Sequence, residues 1–382
     1  MNDIKIKEVQ NKADLKAFVK FPFKLYRGNE FWVPPMIADE LEDFNPKKNP
    51  AFEYSLLRQW LAFENDEIVG RIAGVLHEKE FEESKKIRFG WIDFIDKEEV
   101  SKILLEQVEN WGKELGAEVI HGPMGFNDFD FEGMLVEGFD SIATIATIYN
   151  YPYYKLHLEK FGYVKAVDWL EFINEVPQIV DDKFSRVSSM IEKRYSFRPI
   201  EITTKKQILN YSDAFFEVVN KSYSSLYGFY PLTDKEAVRI KKNYFSFLNP
   251  KFIKGIEDEM GNLVAFGITM PSLSKAYQKA NGRLFPFGFI HLLKALNYNK
   301  VIDMYLIGSL PDKQNSGAVS MVYNELWKTY IKEGVTHLRS NPILETNHKL
   351  LNIWKSIYGK DFLEKAQLKR RRSYAKQLSN NE

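Results

Sequence analysis

Apolar and polar positions in the second half of the chain change period in a regular way. Val301, Ile302, Met304, Tyr305, Leu306 and Ile307 form a near-continuous apolar run, which predicts a buried strand. Turn formers follow it, among them Pro311, Asp312, Asn315, Ser316 and Gly317. Val319, Val322, Tyr323, Leu326, Trp327, Tyr330 and Ile331 then recur with helical period, and Glu333-Gly334 reads as a stop. A second strand is predicted at Val335–Arg339. After Glu345-Thr346-Asn347 a second helix carries Leu350, Leu351, Ile353, Trp354 and Ile357 and ends at Tyr358-Gly359. A strand that turns through Gln314, Asn315, Ser316, Gly317 and Ala318 into a helix, with Ser316 as N-cap, presents backbone N–H groups at the positive end of the helix dipole. That is an anion site of a kind suited to a pyrophosphate.

The first half repeats this plan. Leu61–Ala73 and Ile256–Ile268 both read as hairpins around a polar turn, and Asn150 precedes Gly162 by the same interval that separates Asn347 from Gly359. Trp111 and Trp327 each lie near the end of a helix that stops at Gly116 or Gly334. The first copy carries an insertion within Gly122–Ile148. The expectation is an α/β (α+β) protein of two tandem domains, 1–175 and 176–382, each a mixed, largely antiparallel sheet flanked by helices. The boundary falls in Asn174-Glu175-Val176-Pro177-Gln178, where the apolar pattern lapses. The copies differ at the turn. After the strand Arg88–Ile95, Asp96 and Glu99 form a predicted capping box, and with Glu98 they would repel a pyrophosphate. A working anion site is therefore expected in the second domain alone.

Composition narrows the function classes. The chain has 382 residues with 53 basic and 52 acidic side chains, so no global field favours nucleic acid as a partner. The absence of cysteine excludes disulfides, thiol catalysis and Cys-ligated zinc, and fits a reducing compartment. The first residues lack the apolar core of a signal peptide, and no apolar run reaches membrane-spanning length. A cytoplasmic protein is expected, with the inner membrane surface as a further station. Its Lys-, Asn- and Ile-rich composition suggests a bacterial source.

The turn resembles the acyl-CoA binding turn of the GCN5-related N-acyltransferases, in which Arg/Gln-x-x-Gly-x-Gly/Ala follows a strand. Gln314-x-x-Gly317 supplies the first half, and Val319 departs from the last position. The element order after it matches that superfamily. Phe21–Tyr26, Trp32–Pro35, Asn45–Pro50, Gly122-Pro123, Gly133–Asp140 and Tyr149–Tyr154 resemble one tandem-domain bacterial branch that includes bacterial ceramide synthases. Tyr227–Thr233 and Leu284–Gly288 resemble it in the second half.

The resemblance implies an N-acyltransferase that uses an acyl-CoA, or an acyl carrier protein thioester, as co-substrate and an amine, small or lipidic, as acceptor. It places a bulge that polarises the thioester carbonyl near Ile307, Gly308 and Ser309, with Gly308 admitting the pantetheine. It implies Asn347 as a contact to the pantetheine arm and Glu345 as the base, although Glu345 as a simple helix cap is an equal alternative. Trp354 stands where the superfamily often has the tyrosine that protonates the leaving thiolate, so Tyr358 or solvent would have to serve. Two other readings stand beside this one. The first is a non-catalytic acyl-CoA or lipid-binding protein, and the second is an aminoacyl-tRNA-dependent peptidoglycan aminoacyltransferase.

Tyr223, Tyr227, Phe229 and Tyr230 are candidate substrate-binding residues, as are Phe287 and Phe289 in the apolar segment Arg283–Lys294. That segment has three readings: a buried packing helix, the wall of an acyl-chain tunnel, or an interfacial membrane helix with peripheral membrane contact. The histidines show no metal spacing, and no metal is expected. His157 and His337 read as packed or surface residues. Asp128, Asp130 and Glu132 read as a solvated acidic loop, and Lys369–Arg372 as the solvated face of a terminal strand.

Overall fold

The computed structural model describes residues 4–177, 182–245 and 247–378, so Gln178 of the expected boundary lies outside the described residues. Two compact units emerge. Unit 1 comprises Met1–Trp169, Leu273–Leu292 and Lys369–Glu382, and unit 2 comprises Leu170–Ser272 and Leu293–Leu368. A single cut near residue 176 therefore does not describe them, because a middle segment and the last strand count with the first unit.

Unit 1 is built on β1 (Lys5–Glu8), β2 (Ser55–Glu64), β3 (Glu67–His77), β4 (Lys86–Phe94), β5 (Val119–Gly122), β6 (Met134–Glu137) and the start of β7 (Val164–Glu175). The predicted β2–β3 hairpin is present, and β3 pairs antiparallel with β4. β4 pairs parallel with β5 through Lys86↔Val119, Ile87↔Ile120 and Arg88↔His121. The helix Glu98–Leu115 lies on this sheet through Val100, Leu104, Val108 and Trp111. It approaches closely because β3 carries Gly74 where a Cβ would meet the Trp111 ring at 2.9 Å.

Unit 2 repeats the layout with β8 (Arg198–Ile200), β9 (Ile253–Glu257), β10 (Leu263–Pro271), β11 (Val301–Ser309), β12 (His337–Arg339) and β13 (Ile343–Leu344). β9 and β10 form the second predicted hairpin, β10 pairs antiparallel with β11, and β11 pairs parallel with β12. The helix Ala318–Glu333 buries Met321, Val322, Leu326, Trp327 and Tyr330, and Gly267 admits Val322 as Gly74 admits Trp111.

The last strand, β14 (Gln367–Gln377), lies beside β5 and β6 in unit 1. β7 is divided, its first residues beside β14 and its last paired with β12. Two polar segments also depart from expectation. Lys369 and Arg371 on β14 are buried, with Lys369 donating to the carbonyls of Ser141 and Ile142 and Arg371 to that of Ile148. Arg372 clasps buried Asp168 through Nε at 2.8 Å and Nη2 at 3.0 Å. This cationic run is an internal fastening for the Gly122–Ile148 insertion, because a β-strand sends alternate side chains inward whatever their charge. In the acidic loop, burial raises Asp128 to about 6 and pushes Glu132 up further, so this pair is not the expected solvated surface.

Candidate active site

The candidate site is the place where β11 and β12 part. Their parallel pairing ends at Asp303↔Arg339, and Arg339 Nη1 stands 3.9 Å from buried Asp303 at the vertex. Beyond it the chain after β12 turns to β7. The Ser340 N–H donates to the Phe172 carbonyl, and the Phe172 N–H to Ser340 Oγ, each at 2.9 Å. β11 continues with β10 instead. Its register slips between Ile268↔Leu306 and Thr269↔Met304, which makes Tyr305 the extra residue of a bulge. The expected bulge at Ile307–Ser309 therefore lies earlier, because residues 306–309 keep a regular register with β10. Asn341 Nδ2 reaches across the gap to the Tyr305 carbonyl at 2.7 Å.

The Ile307 peptide faces this gap and is met by one phenol. Tyr223 Oη donates to the Ile307 carbonyl at 3.0 Å and accepts from the Ile307 N–H at 3.4 Å. The second bond is long and weak. Gly308 permits a close approach, and the group that makes it is the end of the helix Ser212–Ser222: a Cβ at 308 would lie 2.8 Å from Ser222 Oγ. Ser309 is buried and ends the strand.

The turn then runs through a short 3-10 helix, Pro311–Ser316. Ser316 Oγ donates to the Lys313 carbonyl at 2.6 Å and accepts from the Ala318 N–H at 3.3 Å. The N-cap itself is Gly317, at φ +86°, and its carbonyl receives the N–H groups of Ser320 and Met321. Gly317 is required twice over: L side chains resist that φ, and a Cβ there would meet Ile191 Cδ1 at 2.5 Å. Asn315 is exposed, and Lys349 Nζ donates to Gln314 Oε1 at 3.1 Å. Lys349 thus adds a cationic side chain near the dipole's positive end, while Lys313 pairs with Asp312 at 3.1 Å.

The predicted acid–base residues are placed less openly. Asn347 is the N-cap of the helix His348–Tyr358, its Oδ1 accepting from the Leu350 N–H at 3.2 Å. Glu345 is half-buried just before that cap and is not itself the cap. Tyr358 Oη donates to the Glu175 carbonyl at 3.1 Å, and burial pushes its phenol well above the ordinary range. Trp354 is wholly buried, stacked on Tyr358 at 5.6 Å and on Phe362 at 6.1 Å. Phe229 is buried with its ring edge-on to Tyr223 at 5.7 Å, while Tyr227 and Tyr230 are half-buried. Phe287 and Phe289 are exposed and count with unit 1, which removes the buried-helix reading of their segment. The sequence reading did not find Tyr305, Asn341 or Lys349. Only the family's habit of a bulge pointed toward the first.

The matching place in unit 1 is closed. The Met124 N–H donates to the Phe89 carbonyl at 2.8 Å, and Gly90 and Gly122 let the loop backbone press onto β4. Arg88, fully buried, binds Glu80 at 2.5 Å and the carbonyls of Gly125 and Phe126. Tyr154 Oη accepts from the Phe94 N–H at 3.0 Å, and Tyr153 donates to the Phe94 carbonyl at 2.6 Å. The expected capping box is absent: Lys97 is the N-cap, and Asp96 pairs with His157 Nε2 at 3.1 Å. Glu98 and Glu99 still occupy the first turn. A surface hollow of about 590 Å³ in unit 1, bordered by Phe21, Lys24, Glu67 and Ile95, touches none of the candidate residues.

A bulged strand parting from its parallel neighbour above a strand–turn–helix, present in two copies, is decisive for the fold. The chain carries the tandem GCN5-related N-acyltransferase fold. A tandem protein of this fold from the clavulanic acid biosynthesis pathway matches with a TM-score of 0.53 at 9% identity, covering 100% of both chains. In sequence, the chain is 29% identical over 381 residues to Protein YghO of Escherichia coli K12, covering 96% of this chain and 94% of that one. It is 25% identical over 308 residues to the bacterial ceramide synthase of Caulobacter vibrioides, covering 78% of each. No protein-family model matches. These likenesses show the fold that the chain shares with these proteins. No helix among the described residues is long and apolar enough to cross a membrane, and no group of three metal-binding side chains occurs among them.

Proposed function

We propose that unit 2 transfers an acyl group from an acyl-CoA thioester to an amine, and that unit 1 does not bind the donor. The observation that carries this reading is the Ile307 peptide, which faces the gap between β11 and β12 and whose N–H makes only a long bond, 3.4 Å, to the Tyr223 phenol. When a thioester enters the gap, its carbonyl oxygen takes the Ile307 N–H in place of Tyr223. Charge that develops on that oxygen during attack is then met by a fixed donor. The pyrophosphate lies at the start of the helix Ala318–Glu333 with Lys349 beside it. The amine attacks the thioester carbon, its proton passes to Glu345 directly or through water, and the C–S bond breaks to release the thiolate. Tyr358 is not the proton donor in this scheme, because its hydroxyl is committed to the Glu175 carbonyl and its proton is held tightly. The thiolate leaves as such, which a free thiol of ordinary acidity permits near neutral pH.

The acceptor proposed is a long-chain amine. The similarity to a ceramide synthase supports a lipid acceptor, as does the aromatic Tyr223 at the gap with the Phe229 ring edge-on to it. An acyl carrier protein thioester remains the alternative donor. Titration calorimetry of the full chain with CoA thioesters of graded length, followed by thiol-release assays with sphingoid bases and with small amines, tests both steps. Binding followed by thiol release with a sphingoid base is expected. Absence of binding at every chain length overturns the donor site. Binding without release for any amine favours a second reading, a thioester-binding protein without turnover, for which Trp354 in the core and the engaged Tyr358 are the specific grounds.

A further inference from the structure

Between Glu259 and Asp303 the chain contains no acidic residue, yet it carries Lys275, Lys279, Arg283, Lys294 and Lys300. The same stretch holds the helix Gly288–Tyr298 and the turn that enters it. Phe285 is 76% exposed, Phe287 68%, Leu293 54% and Tyr298 74%, and Phe289 and Ile290 are exposed too. The turn is tight: the Phe289 N–H donates to the Leu284 carbonyl at 2.8 Å, and Gly288 lets the backbone pass against the Arg283 carbonyl. This geometry sets Phe285 and Phe287 outward, and the Phe285 ring packs on Phe289 at 5.7 Å. Along the helix Leu292 is buried, while Phe289, Ile290 and Leu293 share the solvent face. The helix is thus apolar on both sides, one facing the protein and one facing water.

We infer that this segment is a docking surface for an anionic lipid bilayer. Clustered exposed Phe, Ile and Leu side chains are unusual on a soluble surface and need a cover. The basic residues select the cover. Lys275, Lys279, Arg283 and Lys294, with no interleaved acid, complement phosphate headgroups, and Lys and Arg stems can lie along apolar tails while their charges stay in the headgroup layer. A second copy of the chain fits less well, since an isologous contact would set this basic rim against its own image. Acids approach from neighbouring elements: the charge of Asp39 adds to burial in raising Tyr277 to about 12, and Lys300 Nζ donates to the carbonyl of Glu333. The segment's own charge stays basic. A helix of 11 residues is too short to span a bilayer, so the contact is peripheral, with the rings seated at headgroup depth. The inference does not depend on acyl transfer.

Cosedimentation of the full chain with phosphatidylcholine vesicles, with and without phosphatidylglycerol, tests it. Binding to the anionic vesicles is expected, weakening as salt rises. F285S/F287S/F289S should abolish it with little change in melting temperature, because these rings are exposed. K279Q, R283Q and K294Q should each weaken partitioning about fivefold. Failure to bind anionic vesicles, or binding that survives the triple Phe→Ser change, overturns the inference. A dimer seen by sedimentation velocity and lost in the triple variant, without vesicle binding, overturns it in favour of a second copy.

Discussion

The two units hold the same strands in the same order, yet the gap beside the splayed strand is filled by backbone in one and bridged by side chains in the other. In unit 1 the loop after β5 folds back into the gap, with buried Arg88 tying it down and Tyr153 and Tyr154 covering the Phe94 peptide. In unit 2 the chain after β12 leaves for β7, and Asn341 and Tyr223 reach β11. The difference teaches that one strand layout can either part at this place or fill it with its own chain. In unit 1 the space beside β4 is protein interior. The Phe89 carbonyl and both polar groups of Phe94 find partners there within the protein, as buried peptide groups must.

The largest expected effect comes from breaking the closed gap. Arg88→Ala leaves Glu80 buried without its cation and two carbonyls without their donor, and should cost about 3–5 kcal/mol in chemical denaturation. Unchanged stability would mean that the unit 1 interior does not depend on this fastening. The next concerns Glu40, also in unit 1, which burial raises to about 7 despite the opposing pull of Arg71. Its folded pKa exceeds its unfolded one, so between roughly pH 4.5 and 7 the folded state holds more proton than the unfolded state. Stability should therefore fall as pH rises through that window, by at most ~1.4 kcal/mol per pH unit. Glu40→Gln should flatten that slope in melting curves taken across the window, and an equally steep slope in the variant would refute the assignment.

Smaller effects sharpen the open side. Lys349→Gln should weaken CoA thioesters roughly tenfold while leaving pantetheine thioesters unaffected, since only the former carry the pyrophosphate. Equal loss on both would place Lys349 away from the phosphates. Ser316→Ala removes one N-cap-like bond and should cost about 1 kcal/mol of stability. Asp96→Ala should leave donor affinity unchanged in calorimetry, and a loss there would mean that unit 1 binds the donor after all.

Much of the fold was legible because it rests on periodicity. The hairpins, the helix Ala318–Glu333 with its stop at Gly334, and the repeat of the whole plan are written in apolar spacing. What periodicity cannot carry is partner choice between distant strands. Nothing in Gln367–Gln377 says that it pairs with β5 rather than within unit 2, and its Lys-Arg run reads as surface until Asp168 and the insertion carbonyls are seen beside it. At the candidate site the turn, Gly317 and Asn347 were legible from local chemistry. The bulge at Tyr305 was misplaced, since a bulge is a property of two strands in register. Gly317→Asp would strain the backbone and strike Ile191, so it cannot separate binding from folding.

The placement of β14 also bears on how the molecule is made. A ribosome releases the residues of β5 and β6 long before it reaches Gln367–Gln377, so the amino-terminal sheet leaves the tunnel with one edge waiting for a strand not yet synthesised. Through most of translation that edge is an open invitation to the wrong partner. The first unit to begin is thus the last to finish. Early termination anywhere before Gln367 should strip it of its fastening at Asp168, leaving an N-terminal fragment that aggregates instead of an isolated domain.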